Sequence, residues 1–304
     1  MSQIDLPVGS VLRQRYKILS TLGKGGFARV YLARDANWKG NLVALKEIRT
    51  EGFTPEEYQS LNAHFLQEAA FLMGLEHPGL PRVVEFFAEG SRYYLAMEWI
   101  AGKTLEEIVR EKGPVEEVEA LEWGIQIADV LTYLHRHEPY PVVLGDMKPS
   151  NVMRDFNGAI KVVDFGVARY LAPSHNPRTF SLVSPGFSAP EQFTRFEVDT
   201  RSDIYALGAT LYWVLTGVSL ERYKFAIPPI RRVRSNISQL TEYVLGRCLK
   251  REPGERYVRA SAVREELAKI LAELQRKEKE RQEQSSPDQI LSALYERKRR
   301  LEGD

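Results

Sequence analysis

The chain has 304 residues, 43% of them apolar, and its 42 Lys and Arg balance 41 Asp and Glu to a net charge of +1. That length can hold one large domain or two lobes with ample surface to bury, and the even charge points to neither nucleic acid nor an acidic membrane as a partner. The single cysteine, Cys248, excludes an internal disulfide and fits a reducing compartment. No apolar run reaches the roughly 18 residues of a membrane span, and residues 1–15 carry no secretory h-region. A cytoplasmic protein is expected.

Strand character begins at Tyr16. Tyr16-Lys17-Ile18-Leu19 leads into Leu22-Gly23-Lys24-Gly25-Gly26, and Val30-Tyr31-Leu32-Ala33 follows. Glycines between two strands let backbone N–H groups approach an anion with no Cβ in the way; a plain hairpin turn is the alternative. The residues after Phe27 are β-branched and aromatic, so a strand follows rather than the helix of a dinucleotide-binding fold. Ala28 stands where a third glycine would be. Leu42 to Ile48 is the next strand, with Lys46 inside its apolar alternation, either as an edge lysine or as a cation aimed into a cleft.

Thr54-Pro55-Glu56-Glu57 is a helix start, and a helix is expected over 54–75. Its apolar stripe runs Leu61, Phe65, Leu72, and Glu68 falls on the stripe between the last two. A carboxylate on a buried face is costly unless paired. Lys46 is the candidate partner; a place at the stripe's edge is the other reading. Val83 to Phe87 and Tyr93 to Glu98, around a Gly90-Ser91 turn, complete a five-stranded sheet with one helix. Past Gly102 the periodicity turns helical, at 116–136, 203–216, 239–250 and 261–274, with Gly217 as a C-terminal stop. The change near residue 100 is the expected lobe boundary.

Between these helices lies VVLGDMKPSNVMRDFNGAIKVVDFG, residues 142–166. Asn157-Gly158 between apolar runs is a hairpin signal of the type I′ kind. With those two as the loop, Phe156 faces Ala159 and Asn151 faces Asp164, where directly opposed Cβ atoms lie about 5 Å apart. An amide oxygen and a carboxylate then converge just past Asp146 and Lys148. Such hard oxygen ligands suit Mg²⁺, which fills its remaining shell with phosphate and water. Solvated polar ends of a surface hairpin would be the bland alternative.

Taken in order, the glycine loop, Ala44-Leu45-Lys46, Glu68, Asp146-x-Lys148-x-x-Asn151, Asp164-Phe165-Gly166 and Ala189-Pro190-Glu191 resemble a eukaryotic-type (Hanks-type) serine/threonine protein kinase from about Tyr16 to Leu271. The phrasing around Pro149-Ser150-Asn151 and Ser188 to Gln192 points to a bacterial member. The resemblance implies a bilobal α+β fold: an N-lobe over 16–98 behind a lead segment 1–15, and a larger, mostly helical C-lobe over 99–271. It also implies ATP and Mg²⁺ (or Mn²⁺) as cofactors and a protein substrate with a Ser or Thr hydroxyl.

By the same resemblance Leu22, Gly23, Lys24, Gly25, Gly26 and Val30 cover ATP, and Ala44 lines the adenine pocket. Lys46, paired to Glu68, holds the α- and β-phosphates. Met97 is the gatekeeper, and Glu98 and Ile100 offer hinge backbone to adenine. Asp146 takes the substrate hydroxyl proton, Lys148 neutralises the γ-phosphate, and Asn151 and Asp164 hold the metal. Glu191 would pair with Arg256, Asp203 would brace the catalytic loop, and Ser184 stands where the family has a threonine.

Two departures are specific, the first being that Leu144 stands where the family has a core hydrogen-bonding histidine. The family's His-Arg-Asp triplet reads Leu144-Gly145-Asp146, so the arginine that reads an activation-loop phosphate is a glycine. The implied activity is protein serine/threonine kinase, independent of phosphorylation at Thr179, Ser181 or Ser184. A nucleotide-binding pseudokinase scaffold and a small-molecule kinase of similar fold are the rivals; the long segment from Asp164 to Glu191 favours a protein substrate. Residues 272–304 are a charged tail. Ser285 to Asp288 reads as a new helix start, and the tail either extends the last helix or docks on the kinase or on a second copy as a homodimer. No membrane anchor is expected.

Overall fold

Six antiparallel strands form the first sheet: β1 (Val11–Leu12), β2 (Tyr16–Lys24), β3 (Ala28–Asp35), β4 (Leu42–Ile48), β5 (Val83–Glu89) and β6 (Arg92–Glu98). Their spatial order is β1-β2-β3-β4-β6-β5. Five are those expected; the sixth, β1, is a two-residue strand from the lead segment. In this computed structural model the described residues are 6–24, 28–38, 40–48, 73–90, 92–164, 169–170, 184–193 and 198–284. The helix expected over 54–75 lies outside them but for its last three residues, and so does Glu68.

Alternation divides the sheet into two faces. Tyr31, Ala33, Val43, Leu45, Tyr94 and Ala96 join Tyr16, Ile18 and Phe87 in one buried cluster. Leu95, Met97 and the partly buried Ala44 face the other way, into the much larger core of the helical lobe. The first face also takes in charge. Arg15 donates to both oxygens of fully buried Asp35, at 2.7 and 2.6 Å. Burial works against the Asp35 carboxylate, but the Arg15 hydrogen bonds and those of Asn37 and Trp38 N–H hold its pKa below the ordinary value. Glu47, also fully buried, lies 3.1 Å from Arg92. There burial wins and pushes the carboxyl upward.

After β7 (Gly102–Thr104) come α1 (Leu105–Lys112), α2 (Glu117–His135), β8 (Val142–Val143), β9 (Val152–Asp155), β10 (Ile160–Val162), α3 (Thr200–Thr216), α4 (Gln239–Cys248) and α5 (Ala260–Gln284). Helix α1 starts on a capping box in which Thr104 and Glu107 bond reciprocally. Helix α3 starts three residues before its apolar repeat does, because the Asp199 carboxylate caps the Arg201 N–H. It ends where expected, on left-handed Gly217, whose N–H reaches Trp213 O at 2.7 Å. Thirteen of its residues are buried, so it is the axle of the lobe. Helix α5 runs ten residues past the expected stop at 274. No Gly or Pro interrupts it, and pairs such as Glu273–Lys277 and Arg276–Glu280 support its charged end.

The hairpin register differs from expectation by one residue. The pairs are Arg154–Ile160, Met153–Lys161 and Val152–Val162. Asp155, not Phe156, faces Ala159, and Val163 N–H bonds to Asn151 O at 2.9 Å, so Asn151 stands opposite Val163 rather than Asp164. The reason lies in Asp155, whose Oδ1 accepts from both Asn157 N–H (2.9 Å) and Ala159 N–H (2.8 Å). Only Gly158 adopts positive φ (+92°), so the loop has three residues ending on a left-handed glycine, not the two of a type I′ turn.

Candidate active site

Strand pairing lines up the sheet's contribution. Gly23 faces Val30, Val30 faces Lys46, and Lys46 faces Leu95; Leu32, Ala44 and Met97 form the next row. Lys46 is therefore not an edge lysine: it lies on β4, with a strand on each side. Its Nζ stands 3.2 Å from Asp164 Oδ1, across the cleft from the sheet. The Lys46 side chain is 14% exposed and that of Asp164 is 45% exposed, so the pair opens onto solvent on the carboxylate side. Leu22 is largely exposed, while Met97 and Ile100 are buried. Gly25 and Gly26 lie outside the described residues.

The hinge is tied from below. Lys161, on β10, donates to both carboxylate oxygens of Glu98, at 3.3 and 3.2 Å, and to Leu80 O at 3.2 Å. The Glu98 side chain also accepts from Arg82 N–H, so it is engaged within the protein.

The loop below is held through its backbone. Buried β8 delivers Leu144, itself only 3% exposed, into the core. Asp203, fully buried in the first turn of α3, accepts from Leu144 N–H, Gly145 N–H and His135 Nε2, each at 2.9 Å. Gly145 has φ +75°, a conformation that glycine takes without Cβ cost. Its carbonyl accepts from Gln192 Nε2 at 2.6 Å.

Asp146 follows. Its Oδ1 accepts from Ser184 Oγ at 2.6 Å, its Oδ2 from Lys148 Nζ at 2.7 Å, and Lys148 Nζ also donates to Ser184 Oγ at 2.7 Å. The carboxylate is thereby fixed in a closed triangle. Asn151 donates Nδ2 to Asp146 O at 2.9 Å, which turns its amide oxygen the other way. That oxygen and the exposed Asp164 carboxylate are hard donors of the kind a small divalent cation takes. The structure thus brings together Lys46, Asp146, Lys148, Asn151 and Asp164, although not through the hairpin register expected.

The second half of the lobe is bolted by Arg256. It donates to both oxygens of Glu191, at 2.7 and 2.8 Å, and to the carbonyls of Lys250, Arg201 and Arg251. Ser202 Oγ adds a bond to Glu191 Oε1.

The protein kinase domain family matches residues 16–295. The chain belongs to this family. The kinase domain is 31% identical to PrkC of Bacillus subtilis over 262 residues, covering 82% of this chain and 39% of that protein. It is 33% identical to PknB of Mycolicibacterium smegmatis over 279 residues, covering 85% of this chain and 43% of the relative. Both are named serine/threonine-protein kinases. The chain spans about two fifths of the length of the curated relatives it matches. The crystal structure of the Mycobacterium tuberculosis PknI kinase domain superposes with a TM-score of 0.67 at 22% identity, covering 87% of this chain and 99% of that one, and so shares the bilobal fold. No helix among the described residues is long and apolar enough to cross a membrane.

Three site residues of this kinase domain escaped sequence reasoning: His135, Lys161 and Gln192. His135 sits at the C-terminal end of an apolar repeat, where a last-turn cation is expected for the helix dipole alone. Lys161 looks like a solvated strand residue. Gln192 carries a weak signal, a long amide immediately after the Ala189-Pro190-Glu191 turn.

Proposed function

We propose that the chain is a protein serine/threonine kinase that moves the γ-phosphate of ATP to a Ser or Thr hydroxyl of a protein substrate. The observation that carries this is the Asp146 carboxylate, held by Lys148 and Ser184 beside Asn151, together with the Lys46–Asp164 pair that joins the sheet to the helical lobe. Phosphoryl transfer depends mainly on positioning and charge neutralisation, and those side chains supply both.

In this reading Leu22, Gly23, Lys24, Gly25, Gly26 and Val30 cover the nucleotide. Ala44 and Met97 shape the adenine site, and the Glu98 and Ile100 backbone bonds to adenine. Lys46, paired to Glu68, holds the α- and β-phosphates. Asp146 orients the substrate hydroxyl and accepts its proton, while Lys148 stabilises charge on the transferring group. Asn151 and Asp164 would hold Mg²⁺ or Mn²⁺, which neutralises the phosphates when bound.

The reading divides the chain into a lead segment 1–15, an N-lobe 16–98, a C-lobe 99–271 and a tail 272–304. It places the kinase in the cytoplasm and gives the tail a docking role, on the kinase itself or on a second copy. The test is transfer of labelled phosphate from ATP to a generic protein substrate by wild type and by Asp146→Asn. Transfer by the wild type alone supports the reading; ATP binding without turnover by either would make the chain a nucleotide-binding scaffold instead.

A further inference from the structure

We infer that Gln192 is a positioning residue for Asp146, acting through the carbonyl of Gly145; the inference rests on the phosphoryl-transfer reading above. The peptide group joining Gly145 to Asp146 sets the direction from which the Asp146 side chain leaves the backbone. Asp203 does not hold that group: its bonds go to the N–H of Leu144 and of Gly145, which lie in the two preceding peptide groups. The Gly145 carbonyl is held by Gln192 Nε2 at 2.6 Å. A glycine at φ +75° allows this peptide to rotate more readily than any other residue would. The bond from Gln192 opposes that rotation.

The other end of the amide is equally engaged. Gln192 Oε1 accepts from Ala189 N–H at 2.8 Å, and Gln192 N–H donates to Ala189 O at 3.0 Å. Gln192 is 7% exposed, so water does not compete well for these groups. Ala189 follows the turn that begins at Ser184, and Ser184 bonds directly to Asp146. One amide therefore couples the peptide entering Asp146 to the segment whose serine grips the Asp146 carboxylate. The bond uses backbone where an arginine side chain at position 145 would have needed a phosphate partner. The loop is thus held by a permanent neutral donor.

A single-atom exchange tests this. Gln192→Glu keeps the acceptor toward Ala189 N–H and replaces the donor toward Gly145 O with an oxygen. Ionised, the introduced carboxylate faces a carbonyl oxygen; protonated, it donates to it. The charged and titratable groups around it are Asp146 (next to Gly145) with its partner Lys148, Asp203 (bonded to Gly145 N–H) with its partner His135, Glu191 (adjacent in sequence) and Arg256 (bonded to Glu191); Lys148 and Arg256 are each already engaged by one of these carboxylates. Burial and the three carboxylates favour the protonated form and raise its titration above the ordinary glutamate value of about 4.3.

For Gln192→Ala, kcat should fall on the order of tenfold at every pH while KM for ATP stays within about twofold. For Gln192→Glu, kcat relative to wild type should recover at least about threefold between roughly pH 8 and pH 6. A ratio that stays flat for Gln192→Glu, or a kcat for Gln192→Ala within about twofold of wild type, would overturn the inference. Amide hydrogen exchange over 144–148 reads the same peptide without turnover: Gln192→Ala should speed it on the order of tenfold, and unchanged exchange overturns the inference. Should the wild type transfer no phosphate while exchange still responds, the transfer reading fails and the tie between Gln192 and Gly145 stands.

Discussion

Two ion pairs in this molecule have opposite surroundings. Glu191–Arg256 is 4% and 0% exposed, and further bonds to Ser202 and three carbonyls surround it. Lys46–Asp164 meets at 3.2 Å between the sheet and the helical lobe, with nearly half of the Asp164 side chain in solvent. The first arrangement suits permanent structure, because a buried charge is tolerated only when its lone pairs and protons are met inside the protein. The second suits exchange of partners: its carboxylate stays partly hydrated, and an incoming cation can take over that charge. Exposure, more than distance, separates a bolt from a pair that can exchange partners.

The largest effect expected from this contrast is at the exposed pair. Asp164→Asn should lower turnover by roughly 10³-fold while moving Tm by less than about 2 °C, since a solvent-facing pair contributes about 1 kcal/mol or less. Steady-state kinetics and thermal melts on the same preparations check both halves. A large drop in Tm would erase the distinction drawn between the pairs. The converse is expected at the buried pair. Arg256→Ala leaves the Glu191 charge without its partner and should cost about 3–5 kcal/mol in urea unfolding. The double variant Glu191→Met with Arg256→Met should recover part of that loss, because apolar side chains of similar volume need no partner; no recovery would mean that the carbonyl bonds, not the charge, dominate.

The sheet and the axle helix were legible from the chain, because alternation and helical repeats are local signals. The register of the hairpin was not. Asn157-Gly158 is the same dipeptide in a two-residue and a three-residue loop, and the deciding group is the Asp155 carboxylate one position earlier. A single residue of slip separates Asn151 from direct opposition to Asp164, and Asn151 is oriented by Asp146 O and not by the ladder. The long-range ties were also hidden. Asp203 reaches back to Leu144 and Gly145, and Gln192 reaches Gly145 across more than forty residues. Hydrogen bonds of this kind follow from how α3 and the turn after Ser184 pack, which no window of sequence contains.

The smallest effect expected concerns phosphorylation, and it sharpens the contrast between permanent and exchangeable partners. In this loop Asp203, Gln192, Lys148 and Ser184 together engage the backbone around Gly145 and both oxygens of Asp146. Gly145 has no side chain with which to bind a phosphate. An added phosphate would therefore find no cation at that position, and its loss would remove nothing that the loop uses. Thr179 and Ser181, which lie outside the described residues, are the hydroxyls to change. Replacing both by alanine should leave kcat/KM within about twofold of wild type, equivalent to about 0.4 kcal/mol. The measurement needs protein freed of phosphate beforehand by a phosphatase, with mass spectrometry to establish that state. A fall of tenfold or more would show that a phosphate holds the loop after all, and would move Asp146 from the class of permanently fixed groups to the class that waits for a partner.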